Sequence, residues 1–187
     1  MTAPPRAGSG LVPGTWADAE ALVGTVLAEF EGADPVSLPD IRRRLEVLQL
    51  DCPLHHDADV AREQGYRDVV SPASMIRAWA TPAYWRPGEP PTGTRALYAP
   101  VPASNIPAPG DRQFATGSKT THVLPVHPGD RISGIAVLKS LTRKSISVGD
   151  GAFMVIETTF RNQHGETVAR DEITVFRFTA HGEDGHA

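Results

Sequence analysis

The sequence predicts one α+β domain built on an antiparallel sheet, and three observations point there. Helix-period apolar patterns are confined to the first half of the 187 residues, and long β-rich stretches follow in the second. Pro-Gly-Asp, Val-Gly-Asp-Gly and His-Gly-Glu turns separate those stretches. The 17 glycines and 17 prolines supply the turn chemistry that many antiparallel connections require.

The head, residues 1–14, and the tail, residues 181–187, lack periodicity and are expected to be mobile, which leaves 15–180 as the domain. Thr15 is placed to cap a first helix, with Asp18 complementing its N-terminus. Leu22, Val23, Val26, Leu27 and Phe30 then follow at helical spacing. Gly24 interrupts that face, so a short helix followed by a strand over 25–30 is the alternative. Ser37 caps a second helix, with Pro39 in its first turn and Asp40 at N3. Ile41, Leu45 and Leu48 make its expected buried stripe, Arg42, Arg43, Arg44 and Glu46 its outward face, and Asp51-Cys52-Pro53 the turn that closes it. Residues 55–63 read as a short connecting helix ending near Gly65.

Pro72 opens an apolar stretch over 73–81 that carries Met75, Ile76 and Trp79 and stops at Pro82. It is the expected central, buried helix. Residues 86–93 form a Pro/Gly-rich loop. Residues 99–112, with four prolines and Asn105, are too irregular for a strand and read as an ordered binding loop or crossover. Strands are expected over 113–126, 131–141, 152–162 and 167–179. Ile156, Thr158 and Phe160 share one face by alternation, as do Thr174, Phe176 and Phe178.

The formal net charge of -4 offers no basic field for nucleic acid. The single cysteine, Cys52, excludes an intrachain disulfide framework and a multi-cysteine zinc site, and a reducing, cytoplasmic location is expected. His122, His127 and His164 lack metal-ligand spacing, and nothing in the sequence calls for a metal, flavin or nucleotide redox cofactor. No run approaches the roughly 18 apolar residues of a membrane span, and residues 1–14 hold no signal-peptide core.

Several motifs, in order, carry a family likeness. The run from Ile41 through Leu50-Asp51-Cys52-Pro53-Leu54-His55-His56-Asp57, with Ala61 and Gly65-Tyr66, resembles the opening of MaoC-like dehydratases. Those proteins show a helix, then D-x-N-P-L-H-x-D, then A-x-x-x-G-(F/Y). Leu22-Val23-Gly24 looks like the approach to the family's first strand, which favours the strand over 25–30. Val70-Ser71-Pro72-Ala73-Ser74 resembles the segment leading into the central helix. Pro125-Val126-His127-Pro128-Gly129-Asp130 resembles the P-x-x-x-G-D approach to a strand, and Asn162-Gln163-His164-Gly165-Glu166 the penultimate hairpin. The likeness spans about Leu22 to Phe178. It implies a hot-dog fold, an antiparallel sheet wrapped around a central helix, and water addition to, or removal from, an acyl thioester on CoA or a carrier protein.

That reaction needs a base to take a proton from water, an acid to protonate the α-carbon, and donors aimed at the thioester oxygen. In the ungapped register the family's aspartate falls on Leu50 and its asparagine on Cys52, and only the histidine remains, as His55. The family's His-Gly at the helix start becomes Pro72-Ala73, and proline has no N–H to donate. A register shifted by one residue instead keeps the five-residue separation through Asp51 and His56. The plain alternative makes His55 and His56 solvent-facing helix-start residues and Asp57 a cap.

Cys52, Ser71, Ala73, Trp79 and Asn105 are the candidate substrate-binding positions. Trp79, Tyr84 and Trp85 suit an acyl tunnel or the core. Arg112, Lys119, Lys139, Arg143 and Lys144 suit a phosphate-binding mouth or a solvated sheet face. Three functions follow: a degenerate, substrate-accommodating subunit of a heteromeric hydratase or dehydratase, a self-sufficient homodimeric hydratase using Asp51 and His56, or a non-catalytic acyl-thioester binding protein. In each a second hot-dog subunit is the expected protein partner, because an open sheet edge invites pairing.

Overall fold

The computed structural model describes residues 11–83, 85–89 and 102–181. Tyr84, the outer parts of the expected head and tail, and parts of the loops expected over 86–93 and 99–112 lie outside the described residues.

Tight connections set up the sheet. β3 (Ser133–Ile146) and β4 (Gly149–Arg161) join through a two-residue turn, with Ile146 opposite Gly149. β4 and β5 (Thr167–Ala180) join through Asn162–Glu166. There the Asn162 side-chain oxygen accepts the His164 and Glu166 N–H groups at 3.0 and 3.1 Å, and Gly165 takes φ 77°. β1 (Val26–Glu31) adds to β3 and β2 (Arg112–His122) to β5, so five antiparallel strands run in the order β1-β3-β4-β5-β2.

The expected strand over 131–141 runs on to Ile146, because the Val-Gly-Asp-Gly segment read as a turn lies mostly inside β4. Its glycines allow close strand approach: a Cβ on Gly151 would sit 2.2 Å from Arg177 O. The strand expected over 113–126 stops at His122, since the Val123 and Leu124 N–H groups both go to Val168 O, and two residues opposite one end the ladder.

Thr15 and Asp18 form a capping box on α1 (Trp16–Glu20), and the strand alternative holds for the residues after Gly24. Val12, inside the head expected to be mobile, donates to Ser104 O and accepts from the Ala108 N–H, so ordered chain begins before Thr15. Ser37 caps α2 (Leu38–Leu48) through the Asp40 N–H. Ile41 and Leu45 are buried as expected, but Leu48 is 48% exposed because the helix is already ending there. The connecting helix expected over 55–63 is two pieces, a 3₁₀ turn at Pro53–His55 and α3 (Ala58–Glu63), divided where Asp57 caps α3.

The central helix is short: a 3₁₀ turn, Ala73–Met75, continues into α4 (Ile76–Trp79). Met75, Ile76, Trp79 and Ala80 pack there with Ile41 and Leu45 of α2, with Ile132 just before β3, and with Phe160 and Val168 of the sheet. Beside this cluster, on the same sheet face, Ala136, Leu138, Met154, Ile156, Ile173 and Val175 lie under α1 and the 103–108 segment. Phe114, Phe153, Phe176 and Phe178 form an aromatic group whose ring centroids are 4.6–5.8 Å apart.

Two buried charges tie irregular segments to this frame. The Arg177 guanidinium, 0% exposed, donates to the carbonyls of Ile106, Ala108, Val12 and Gly110 at 2.6–3.4 Å, holding the crossover and the head onto β5. Burial lowers its pKa. Asp130 accepts from the His127 backbone N–H, Gln163 and Arg67.

Candidate functional site

α2 ends because Gln49 adopts a left-handed C-cap (φ 50°), with its N–H turned back to the Glu46 and Leu45 carbonyls. The chain leaves the helix through Leu50, 40% exposed, and Asp51, whose side chain is 96% exposed. Cys52, half-buried and free, precedes the Pro53–His55 turn. That turn is docked by two hydrogen bonds: the Val70 N–H donates to Leu54 O at 2.8 Å, and His55 Nδ1 lies 2.7 Å from Val70 O. A carbonyl only accepts, so Nδ1 donates this bond, and Nε2 is the ring nitrogen left for another partner.

His56 Nε2 stands 3.3 Å from Asp51 Oδ1, on the exposed side of the turn. Asp57 caps α3, its Oδ1 accepting from Asp59 and Val60. Both histidines line a pocket of about 370 Å³ together with Leu38, Pro39, Arg42 and Leu45 of α2.

The sequence candidates therefore separate. His55 and His56 meet at this pocket, and Asp51 reaches it only through His56. Leu50, Cys52, Ser71, Ala73, Trp79 and Asn105 are not among its lining residues. Ser71 and Trp79 are buried and bonded to each other, Trp79 Nε1 to Ser71 Oγ at 2.8 Å, and form wall and core. Ala73 is exposed at the start of its 3₁₀ turn, and Asn105 is exposed at the end of the turn Pro102–Asn105. Trp85 is 45% exposed and donates to Glu89 O.

The proposed basic mouth is dispersed. Lys139 is held between Glu157 and Glu172, and its hydrogen bonds to Glu172 first, then Glu157, raise its pKa. Lys119 stands opposite Glu172 and Arg112 opposite Phe178 in the ladder. Arg143 and Lys144 lie near the β3–β4 turn, with the Arg143 guanidinium 5.9 Å from the Trp16 ring centroid. Arg42 is the pocket residue that sequence reasoning set on an outward face. The spacing Leu38, Arg42, Leu45 (i, i+4, i+7) does place it beside the buried stripe, and that signal would have found it.

The five-stranded antiparallel sheet and the short central helix are those of the hot-dog fold, which MaoC-like dehydratases among the similar solved structures share. The chain matches the family described as "FAS1-like, dehydratase domain region" over residues 21–171, and it belongs to that family. It is 33% identical over 167 residues to a probable enoyl-CoA hydratase alpha subunit from Thermomonospora curvata, a match covering 85% of this chain and 50% of the relative. The chain thus spans about half the length of that curated relative. A crystal structure of the ChsH1–ChsH2 complex from Mycobacterium tuberculosis is similar in fold, at TM-score 0.68 and 22% identity over 90% of this chain and 91% of the matched one. A MaoC-like dehydratase from Rhodospirillum rubrum superposes at TM-score 0.54 and 20% identity over 83% of this chain and 93% of its own. Among the described residues no helix is long and apolar enough to cross a membrane.

Proposed function

We propose that this chain is the substrate-accommodating subunit of a heteromeric enoyl-thioester hydratase or 3-hydroxyacyl-thioester dehydratase, completed by a second hot-dog subunit that carries the proton-transfer pair. One observation carries the reading: among the described residues no carboxylate lines the pocket that His55 and His56 line. Hydration requires water to lose a proton to a base as its oxygen bonds the β-carbon, while an acid delivers a proton to the α-carbon. His55 Nε2 can accept or relay one hydrogen bond, but the position that should hold its acidic companion is Leu50. The pocket can seat an acyl group on Leu38, Pro39 and Leu45 and orient it through ring nitrogens, with the thioester borne by CoA or a carrier protein. Two relatives lend support: one is described as an alpha subunit, and the other was crystallised as a two-protein complex.

The test is enoyl-CoA hydration by the purified chain, alone and mixed with a hot-dog subunit encoded beside it. Expected is no turnover alone and a rise of at least about a hundredfold on mixing. Full turnover by the single chain defeats the proposal. Stabilisation by acyl-CoA with no turnover in any mixture would make it a binding protein instead.

The 3.3 Å contact between Asp51 and His56 favours a second reading, a self-sufficient homodimer. Asp51→Asn and His56→Ala would then each lower the rate about 10²–10⁴-fold. Under the first reading Asp51→Asn leaves the mixed enzyme within about twofold, because that carboxylate neither lines the pocket nor takes the proton.

A further inference from the structure

The charges around the pocket are one-sided. Of its six lining residues, Leu38, Pro39 and Leu45 are apolar, Arg42 carries a guanidinium, and His55 and His56 carry imidazoles whose Nδ1 and Nε2, respectively, face Val70 O and Asp51. The nearby acids are turned to other partners. Asp40 accepts from Ser37 and Arg43, Asp51 meets His56 from outside, and Glu46 holds Arg42 one helical turn on. The Arg42–Glu46 pair is exposed on both sides, at 63% and 58%, and such i,i+4 pairs contribute little. A guanidinium so held already donates to a carboxylate through one nitrogen, Nη1, and exchanges that exposed partner at small cost.

We propose that Arg42 makes this pocket selective for an acyl group bearing its own carboxylate, so that the substrate class is a thioester of a dicarboxylic acid; this rests on the reading of the pocket as an acyl-thioester site. The apolar wall takes the methylene chain, and the Arg42 guanidinium takes the distal carboxylate in place of Glu46. Pocket size argues against the phosphate of the carrier arm as the bound anion. Leu38, Arg42 and Leu45 lie within about 10 Å along one face of α2, whereas the arm sets its phosphate about 15 Å from the thioester. An anion on Arg42 therefore lies within one pocket's breadth of the acyl end.

The experiment is calorimetric titration of the full chain, alone and in the assembly it purifies with, using hexanoyl-CoA and adipoyl-CoA. These differ only in a terminal methyl against a terminal carboxylate. Expected is adipoyl-CoA binding about tenfold tighter, a preference abolished in Arg42→Leu and partly kept in Arg42→Lys, with hexanoyl-CoA affinity within about twofold throughout. Equal affinity for the two ligands in the unaltered chain overturns the proposal while leaving the acyl-thioester reading standing. Equal weakening of both ligands in Arg42→Leu also overturns it, and moves the guanidinium to the CoA phosphates. Binding of neither overturns the underlying reading together with this proposal.

Discussion

Replacing Asp130 with alanine tests whether the frame behind the histidine turn is held as described. The carboxylate is 3% exposed and accepts from the His127 backbone N–H at 2.8 Å, from Gln163 Nε2 at 3.1 Å and from Arg67. His127 in turn directs Nδ1 at the Asp68 and Val69 carbonyls, next to the Val70 carbonyl that fixes His55. Removing the carboxylate strands the buried His127 N–H, at a cost of about 1–3 kcal/mol. Arg67 is 56% exposed and can rehydrate, so its lost pairing adds only about 0–1 kcal/mol. The expected destabilisation is about 1–4 kcal/mol, read at pH 7 as a fall in the urea midpoint at unchanged m.

The pH dependence has a definite sign. Burial alone would raise the Asp130 pKa, but the His127 N–H, Arg67 and Gln163 outweigh it and hold the carboxyl below its ordinary 3.8. A group depressed on folding stabilises above its unfolded value and loses that contribution as pH falls through the folded one. The difference between the parent and Asp130→Asn should therefore be full at neutral pH and shrink below about pH 4. A cost under about 0.5 kcal/mol for Asp130→Ala, or an Asn difference that persists undiminished at acid pH, would refute the reasoning.

Two further outcomes are expected. Arg177→Met removes the donor shared by the Val12, Ile106, Ala108 and Gly110 carbonyls. It should cost about 2–4 kcal/mol, lower Tm by about 5–15 °C and speed amide exchange across 103–110; unchanged exchange there would discard the clamp. β2 is an edge strand of 11 residues, nearly all exposed, with Phe114 and the following Val123 and Leu124 also open to solvent. Sedimentation at micromolar concentration should show a dimer or larger assembly, and a stable monomer would count against edge pairing.

The legible parts of this fold are those written in local chemistry. The Asn162–Glu166 turn, the Thr15 and Ser37 caps and the alternation through Ile156, Thr158 and Phe160 each reside in a few consecutive residues, and each stands where the sequence placed it. Strand ends were less legible. β2 ends on a shared Val168 carbonyl, and β4 begins on glycines whose task is close approach to β5. Nothing in the sequence marks Arg177 and Asp130 as buried, because their partners lie 63 or more residues away apart from the His127 N–H and Gln163. A buried charge satisfied by distant partners leaves no periodic trace.

The site shows the same limit at finer scale. Motif order located His55, and spacing located the Asp51–His56 pair, which does come within 3.3 Å. Neither said which way the pair faces. That is decided by Gln49, whose left-handed conformation ends α2 before the expected Asp51-Cys52-Pro53 turn. Leu50 and Asp51 then leave as exposed connection, while the Val70 backbone recaptures the Pro53–His55 turn and sets both rings against α2. One backbone inversion thus sends the imidazoles to the pocket and the carboxylate to water. A five-residue separation is satisfied equally by a cleft-facing dyad and by this outward one, so spacing could not choose between them.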